Sequence, residues 1–316
     1  MKLLYTIIAA TILTTNLVSC KKYSDEKPTI SGIAVANADF STLEDAAILG
    51  GVAVTLSNKN ANDPGGNFTV LAPNNAAFAR LGLTDGASLG ALQPSFLTNT
   101  LLYHTSNGIL NSNSIIAGGS SNSVTGVQRR YYLRGSDQYV NGSKVIATNI
   151  SASNGQVQVI DKVLLATGVN IVASAQLLSN AQVFKKAELT FLVAAVVKSG
   201  LAPVLADPAN NFTIYAPTDA AFIAAGFPNV AAVSAAPAAT LAAVLLNHAV
   251  GTGRFTSQYT TNTAMTAGGG TLTYGPFTNG TFTVKSNGIT TPANMVIPDI
   301  LCSNGVVHVI DRVLLP

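Results

Sequence analysis

One segment of this sequence occurs twice. Residues 304–315 read NGVVHVIDRVLL and residues 154–165 read NGQVQVIDKVLL, at a spacing of 150 residues. The Asn-Gly pair is typical of a tight turn, and the alternating apolar residues after it have the period of a half-buried strand. Solenoid repeats are usually about 20–50 residues long, so this spacing indicates a duplicated domain instead.

A second motif repeats further towards the N-terminus. Residues 67–78, NFTVLAPNNAAF, match residues 211–222, NFTIYAPTDAAF, at a spacing of 144 residues. Each copy predicts a strand that ends at a proline, which cannot donate to a sheet. A short helix follows, capped by Asn74 or Thr218, with Asp219 in the positive first turn of the second copy.

The third repeated motif is Leu-Leu-x-His, at residues 101–104 and again at residues 245–248. The apolar residues before it recur at helical spacing, so His104 and His248 fall at helix ends, where an imidazole can bond terminal carbonyls. The spacing then grows from 144 to 150 residues. The second copy therefore carries six extra residues, which we expect to lengthen surface loops.

The segments between the motifs predict a helical first half and a strand-rich second half in each copy. Helical patterns cover residues 39–49, which stop at Gly50-Gly51, and residues 188–199, which stop at Gly200. Residues 52–56 fit either a helix extension or a turn, and residues 169–178 fit the first helix of the second copy. Strands are predicted at residues 130–133, 139–140, 144–146, 271–274, 281–285 and 295–297.

Length and composition restrict the class of protein. A chain of 316 residues has room for about two domains of roughly 100–200 residues. It is 48% hydrophobic and only 10% charged, with a formal net charge of +3. Because the basic residues are few and scattered, a nucleic-acid partner is not expected.

The first residues have the pattern of a targeting segment. Lys2 supplies a positive charge, and residues 3–13 form an apolar run too short to span a bilayer. The sequence LVSC at 17–20 resembles the lipobox of bacterial lipoproteins, in which the cysteine is acylated and becomes the first mature residue. Several acyl chains, each worth about 0.8 kcal/mol per buried CH₂, anchor a protein firmly. We therefore expect a signal peptide at 1–20 and lipidation at Cys20; the alternative is an ordinary secretory signal.

The lipobox resemblance implies a location in the cell envelope. Lys21 follows the cysteine, which favours the outer membrane, and the acidic residues at 25–26 occur in some surface-exported lipoproteins. The expected location is a surface-exposed outer-membrane lipoprotein, with a periplasm-facing one as the alternative. Residues 21–33 are polar and are interpreted as a tether between the lipid and the fold.

Cysteine usage agrees with a fold held by its apolar core. If Cys20 carries the lipid, Cys302 has no partner within the chain, so the fold is not a disulfide scaffold. Cys302 is interpreted as a small buried hydrophobe, because a nucleophile would need a nearby base to lower its pKa.

The three motifs, in this order, resemble the fasciclin (FAS1) domain, and they occur twice. The resemblance implies an α+β fold with two tandem domains, 34–166 and 167–316. Each is expected to be a β-sandwich or wedge of about seven strands with several helices packed against it. The helical first half and strand-rich second half agree with that. Because the linker has few polar residues, we expect the two domains to touch.

The family consists mainly of extracellular adhesion and recognition modules without a common catalytic site. In some animal members, a Tyr-His segment and an Asp-Ile pair before the last strand are implicated in integrin binding. Asn247 replaces the tyrosine in the second copy and Asn149 replaces the acid in the first, so neither copy has both features. The alternative is a buried helix-end histidine and a loop aspartate. The matching residues are the candidates for partner binding: Tyr103, His104, His248, Asp299 and Ile300.

Catalytic groups are few. Of the three histidines, two lie at equivalent helix ends, and the third, His308, is replaced by Gln158 in the other copy. The sequence has no histidine pair at metal-ligand spacing, no nucleophile elbow and no phosphate-binding loop. The acid-base pairs at 161–162 and 311–312 are interpreted as solvent-facing charges or turn-stabilising carboxylates. We therefore predict no catalytic residue, no metal and no cofactor.

The leading hypothesis is a membrane-anchored adhesion or recognition protein that presents its tandem domains to an extracellular protein or matrix partner. The alternative is a glycan-capture lipoprotein that serves polysaccharide uptake. The chain has no tryptophan for stacking on sugars, so tyrosines would have to supply the platform. An enzyme is the third hypothesis and would require a deep polar pocket. The tyrosines considered are Tyr131, Tyr132, Tyr139, Tyr259 and Tyr274.

Overall fold

The computed structural model describes residues 27–179 and 188–316. The predicted signal peptide, Cys20 and the first part of the predicted tether lie outside these residues. Helices of the first copy are α1 Ile30–Ala36, α2 Ser41–Leu49, α3 Ala53–Ser57, α4 Asn75–Ala79, α5 Gly86–Leu89 and α6 Pro94–Tyr103. Its strands are β1 Phe68–Pro73, β2 Thr105–Asn107, β3 Ser120–Asn122, β4 Gln128–Arg134, β5 Asp137–Val140, β6 Ser143–Ala152 and β7 Gly155–Ile160.

The second copy repeats this order. After β8 Leu165–Ala166, its helices are α7 Ile171–Leu178, α8 Thr190–Ser199, α9 Ala202–Ala206, α10 Asp219–Ala224, α11 Val230–Ala235 and α12 Ala238–Asn247. Its strands are β9 Phe212–Pro217, β10 Ala249–Val250, β11 Thr263–Met265, β12 Thr271–Tyr274, β13 Val284–Ser286, β14 Met295–Cys302 and β15 Gly305–Ile310. Single 3₁₀ turns lie at Ala38–Phe40, Ser112–Ser114 and Thr256–Gln258.

The predicted tether is partly wrong where the structure describes it. Helix α1 begins at Ile30, whose side chain is buried, and Thr29 caps the helix by accepting a hydrogen bond from the Gly32 N–H. A threonine that caps in this way marks the residue after it as the first residue of a helix. The folded domain therefore begins before residue 34. The undecided segment at residues 52–56 forms the separate helix α3.

Two parallel strands form the centre of each copy. Strand β1 lies parallel to β7, with Pro73 opposite Ile160, and β9 lies parallel to β15, with Pro217 opposite Ile310. Every position of β7 and β15 is buried, because helices cover one face and the remaining strands and loops cover the other. Strands buried on both faces are expected to be nearly continuous apolar runs. Strand β15 fits this apart from His308, whereas β7 also buries Gln156 and Gln158.

The Asn-Gly pair before the last strand lies at a tight turn, as predicted, and it has a second role as well. Only the glycine has a positive φ, of 150°, and a Cβ on Gly155 would collide with the carbonyl oxygen of Phe68 on the neighbouring strand. Asn154 Oδ1 accepts the Ile30 N–H at 2.9 Å, and its Nδ2 donates to the Leu56 carbonyl at 2.8 Å. The pair therefore joins the hairpin to α1 and α3. In the second copy, Asn304 accepts the Ile171 N–H and donates to the Leu205 carbonyl. A Cβ on Gly305 would likewise collide with the carbonyl oxygen of Phe212.

The strand before each of these hairpins is bulged. Strand β6 has two register shifts against β7, and β14 has two against β15. At the second shift the chain passes through a residue with positive φ, Asn149 at 57° in the first copy and Asp299 at 66° in the second. Bulges of this kind re-aim a side chain out of the ladder.

The boundary between the two sheets does not coincide with the boundary between the two sequence copies. The first copy forms one sheet in the order β2-β1-β7-β6-β5-β4-β3, and the second forms β10-β9-β15-β14-β8 and β11-β12-β13. Strand β8 belongs to the first copy by sequence, yet it pairs in parallel with β14, with Leu165 opposite Ile300. The boundary predicted after residue 166 thus falls at the end of a strand of the second sheet, and the two domains touch.

Candidate functional site

The two helix-end histidines hold their domains together. In the first copy, His104 Nδ1 donates to the Thr100 carbonyl at 2.7 Å, and its Nε2 accepts the Leu164 N–H at 2.9 Å. In the second copy, His248 bonds Val244 and Leu314 in the same way. The bond within the helix agrees with the sequence prediction. The bond to the end of the domain is long-range and leaves no signal in the local pattern.

Both histidines are neutral at physiological pH. Burial lowers the pKa of His104 to about 4 and that of His248 to about 4, because a charged imidazole would lose its hydration. Each ring uses one nitrogen as donor and the other as acceptor. An imidazole with both nitrogens occupied by backbone groups has neither a free lone pair for a proton nor an open position for a ligand.

Tyr103, another candidate, is also buried. Its hydroxyl accepts a hydrogen bond from Asn141 Nδ2 at 2.9 Å, and burial raises its pKa to about 12. Asn141 has a positive φ of 53° and begins the turn between β5 and β6. Tyr103 therefore holds this turn in position rather than facing solvent.

The turn that Tyr103 supports reaches the second domain. Ser257 donates its hydroxyl proton to the Asn141 carbonyl at 2.6 Å. Next to it, Gly142 lies against the carboxylate of Asp299 so closely that a Cβ at this position would overlap the carboxylate. Glycine is required here because no other residue permits this approach.

Asp299 forms a buried ion pair across the junction. Its Oδ2 lies 2.6 Å from Lys162 Nζ, and it also accepts hydrogen bonds from the N–H and the hydroxyl of Thr256. Lys162 donates two further hydrogen bonds, to the Thr256 hydroxyl and to the Gly280 carbonyl at 2.8 Å. Both charges are thus fully bonded in a site that water hardly reaches, which is the condition for a stable buried pair.

The ionisation of Asp299 follows from these contacts. Burial alone raises the pKa of a carboxyl group, but the charge of Lys162 and the hydrogen bonds from Lys162 and Thr256 outweigh it. The pKa of Asp299 is therefore lowered, and the residue is a carboxylate at neutral pH.

His308, the residue in the closing motif that differs between the copies, has the same structural role as its counterpart. His308 Nδ1 accepts the Asp299 N–H at 3.0 Å, and Gln158 Oε1 accepts the Asn149 N–H at 2.9 Å. His308 Nε2 donates to the Arg254 carbonyl, and Gln158 Nε2 donates to the Leu110 carbonyl. Burial lowers the pKa of His308, so the ring is neutral and replaces an amide rather than supplying acid-base chemistry.

The five candidate residues are therefore interior side chains. Their exposed fractions run from 1% to 8%, so none of them presents its side chain at the outer surface. Tyr103 and Asp299 are brought to the two sides of one junction, whereas His104 and His248 lie in separate helical cores. Ile300 belongs to the core of the second domain.

Sequence reasoning missed Lys162, the residue that completes the junction. The acid of the Asp161-Lys162 pair is turn-stabilising as predicted, since Asp161 Oδ1 accepts the Lys144 N–H at 2.7 Å. Lys162, however, is buried and not solvent-facing. Its counterpart in the second copy, Arg312, is exposed. The change from arginine to lysine between the copies is the one sequence difference that could have indicated a special role for Lys162.

Other groups extend the junction. Arg134 Nη1 donates to the Tyr259 carbonyl at 2.6 Å, and its guanidinium lies 4.1 Å from the ring centre of Phe277. Tyr139 packs edge-on against the same ring. Cation–π and aromatic contacts of this kind add to a polar interface without requiring charges to be buried.

The remaining candidates for chemistry are structural in the described part of the chain. Cys302 is a buried thiol, and burial raises its pKa to about 11, so it is a poor nucleophile. Four of the five tyrosines considered for sugar stacking are buried, and only Tyr132 is partly exposed. Residues 27–179 and 188–316 contain no group of three or more acidic, histidine or cysteine side chains placed to hold a metal. Within the same ranges no helix has the length and apolarity needed to cross a bilayer.

The fold and its contacts define a tandem α+β protein whose repeated polar motifs hold domains and junction together. The family model named Fasciclin domain matches residues 38–166 and 187–316. Protein sll1483 of Synechocystis sp. is 32% identical over 144 residues, which cover 45% of this chain and 76% of that protein. Among solved structures, a FAS1 domain pair from the insect cell adhesion molecule Fasciclin I aligns with 90% of this chain and 96% of its own, at 18% identity and a TM-score of 0.39.

The chain belongs to the fasciclin family and carries two copies of its domain. The predicted family and the predicted α+β fold of two tandem domains are confirmed. Fasciclin domains are generally adhesion and recognition modules rather than enzymes.

Proposed function

We propose that this protein is an envelope-anchored adhesion protein that presents two fasciclin domains as one rigid unit to an extracellular protein or matrix partner. The observation that supports this most is the junction. A shared sheet and a fully bonded Lys162–Asp299 pair hold the domains at one orientation. A surface that spans both domains is then preorganised, and binding it costs little conformational entropy.

Recognition of a protein also agrees with what the surface offers. The tyrosines that a glycan site would need for stacking are mostly buried. Large apolar side chains are exposed on both domains instead, among them Ile48, Val54, Val197 and Met265. Contiguous patches of exposed apolar side chains mark protein-binding surfaces, and we expect some of these residues to belong to such a patch.

The binding test uses the full chain on beads against panels of extracellular proteins, matrix preparations and glycans. We expect saturable binding to a protein or matrix component, and weaker binding by Asp299→Ala, which loosens the junction. Asp137→Asn is the matched control, because it removes an exposed ion pair with Lys144 and leaves the junction intact. An absence of binding on the protein and matrix panels, together with normal attachment of a deletion strain, would refute the adhesion proposal. Binding to glycans alone would support the uptake alternative.

The anchor is tested separately. Radiolabelled palmitate should enter the wild-type protein in growing bacteria and should not enter Cys20→Ala. Protease treatment of intact cells then distinguishes a surface-exposed protein, which is cleaved, from a periplasm-facing one. Label that persists in Cys20→Ala would show that Cys20 is not the site of lipidation.

A further inference from the structure

The first domain contains an apolar cavity of about 230 Å³ that has no use in the adhesion proposal. It lies between helices α1, α2 and α3 and the central strands, with Val70 and Val157 in its wall and the neutral ring of His104 at its floor. Exposed side chains of Val35 and Ile48 lie at its mouth. The cavity is therefore a pocket that opens to the surface between helices.

The same place in the second domain is nearly closed. There the cavity has about 30 Å³, although His248 and Val307 occupy the positions of His104 and Val157. The two copies thus share the architecture of the pocket, and they differ in whether space remains inside it.

Two exchanges between the copies add bulk to the second pocket. The repeat spacing of 144 residues places Ile214 opposite Val70 in the alignment of the central strands. Helices α2 and α8 align through equivalent bonds, since Asn75 accepts the Thr42 N–H and Asp219 accepts the Phe191 N–H.

This helix alignment sets Val196 in the place of Ala47. Both Val196 and Ile214 line the second cavity, as Ala47 and Val70 line the first. Each exchange adds carbon atoms to the second pocket. Protein interiors are normally packed to leave few voids larger than a water molecule, so the open copy is the unusual one.

The size and chemistry of the open pocket define what fits. An engineered apolar cavity of about 150 Å³ binds benzene, so this pocket accepts a somewhat larger hydrocarbon. Among the residues that line it, Glu44 at the rim carries a charge, and Ser31 and Ser57 offer hydroxyl oxygens as acceptors, since both donate their protons to the Ala53 carbonyl. A carboxylate at the rim repels an anionic head group, whereas hydroxyls can bond a neutral one. In the second copy Val193 replaces Glu44.

We propose that the first domain binds a neutral amphiphile with one short aliphatic chain, with the chain in this cavity and a hydroxyl head group at the Glu44 rim. The chain displaces no well-bonded water, because the walls are apolar. The head group remains at the surface, where Ser31 and Ser57 lie. The second domain binds no such ligand, since its pocket is nearly closed.

The test is titration of the full chain with octanol, followed by calorimetry and by the ring proton resonances of the histidines. We expect one saturable site per chain, with a shift at His104 and none at His248. Octanoate should bind at least about tenfold more weakly, a difference of roughly 1.4 kcal/mol. That difference should shrink in Glu44→Val, which introduces the residue of the second copy.

The decisive variant is the double exchange Ala47→Val with Val70→Ile. It narrows the first pocket with side chains that the second pocket already holds, so we expect it to fold, to melt no lower than the wild type and to bind octanol at least about tenfold more weakly. Octanol binding that this exchange does not weaken, or a wild-type chain that shows no saturable binding up to the solubility of octanol, would overturn the proposal. Neither result would bear on adhesion, which concerns the outer surface of the domain pair.

Discussion

At the scale of single residues, the polar groups of the repeated motifs act as fixed hydrogen-bonding links. His104 and His248 each join a helix end to the last residues of a domain, and Asn154 and Asn304 each join a hairpin to two helices. Buried polar groups that are fully bonded specify one arrangement of a core. Motif positions that appear chemical in the sequence are therefore structural.

The histidines predict how stability depends on pH. Their pKa is about 4 in the folded protein, against an ordinary value of 6.5, so the unfolded chain binds more protons between these values. Stability therefore falls as the pH is lowered from about 6.5 towards 4, on the order of 3 kcal/mol for each histidine when complete. Urea unfolding at several pH values measures the slope. His104→Gln, which keeps one donor and one acceptor, should flatten it. An unchanged slope in that variant would show that His104 does not titrate as described.

At the scale of elements, each domain is built around a hairpin whose last strand is buried on both faces. The sequence predicted most of these elements because their patterns are local: α2 ends before Gly50, β12 has the predicted bounds, and α7 begins within two residues of its prediction. Asn74 and Thr218 cap their helices as predicted.

What could not be predicted depends on contacts between distant residues. The partner of Asp299 lies 137 residues away in the chain, and the positive φ of Asp299 has no marker in the sequence. The role of His308 follows from the equivalent bonds that Gln158 makes in the first copy, and no local pattern indicates them. A local pattern records which face of an element is apolar, but it does not record which polar group another domain will supply.

The hairpin link predicts a specific loss on mutation. Asn154→Ala removes the bonds to the Ile30 N–H and to the carbonyls of Leu56 and Asn58, which leaves buried groups unpaired. We expect a loss of about 1–3 kcal/mol in the free energy of unfolding and faster amide exchange in α1. Ser153→Ala, at an exposed position of the same turn, is the control and should change stability by less than about 0.5 kcal/mol. Equal stability of the two variants would contradict the link.

The closing strands predict a second effect. Ile160→Ala and Ile310→Ala each remove a fully buried side chain and should cost about 2–5 kcal/mol, measured by denaturant unfolding. Ile146→Ala changes a half-exposed residue on the neighbouring strand and serves as the comparison. A change at Ile160 no larger than that at Ile146 would show that β7 is not part of the core.

At the scale of the whole molecule, the two domains form one unit. The Asn141–Gly142 turn of the first domain lies against Ser257 and Asp299 of the second. The Lys162–Asp299 pair and the contacts of Arg134 and Phe277 surround this turn. Interfaces between domains are often loose, but one that contains a bonded buried charge pair has a preferred geometry.

Loss of the ion pair should separate the domains in unfolding. Lys162→Ala leaves the Asp299 carboxylate buried without its partner, which costs about 3–5 kcal/mol in comparable cases. We expect a lower melting temperature and two resolved transitions in calorimetry, because the domains no longer stabilise each other. Arg312→Ala alters the exposed counterpart of Lys162 and should leave the melting profile unchanged. A single transition at the wild-type temperature in Lys162→Ala would exclude a stabilising role for the pair.

Strand β8 has a consequence for mechanical force. It connects the first domain to the second, and it is also hydrogen-bonded in parallel to β14, with Leu165 and Ala166 opposite Ile300 and Leu301. The Thr167 N–H continues this ladder by donating to the Leu301 carbonyl. Under the anchoring proposed above, a pull between the N-terminus and a partner bound to the second domain would act on these hydrogen bonds between β8 and β14. The molecule can transmit a pull through its own sheet.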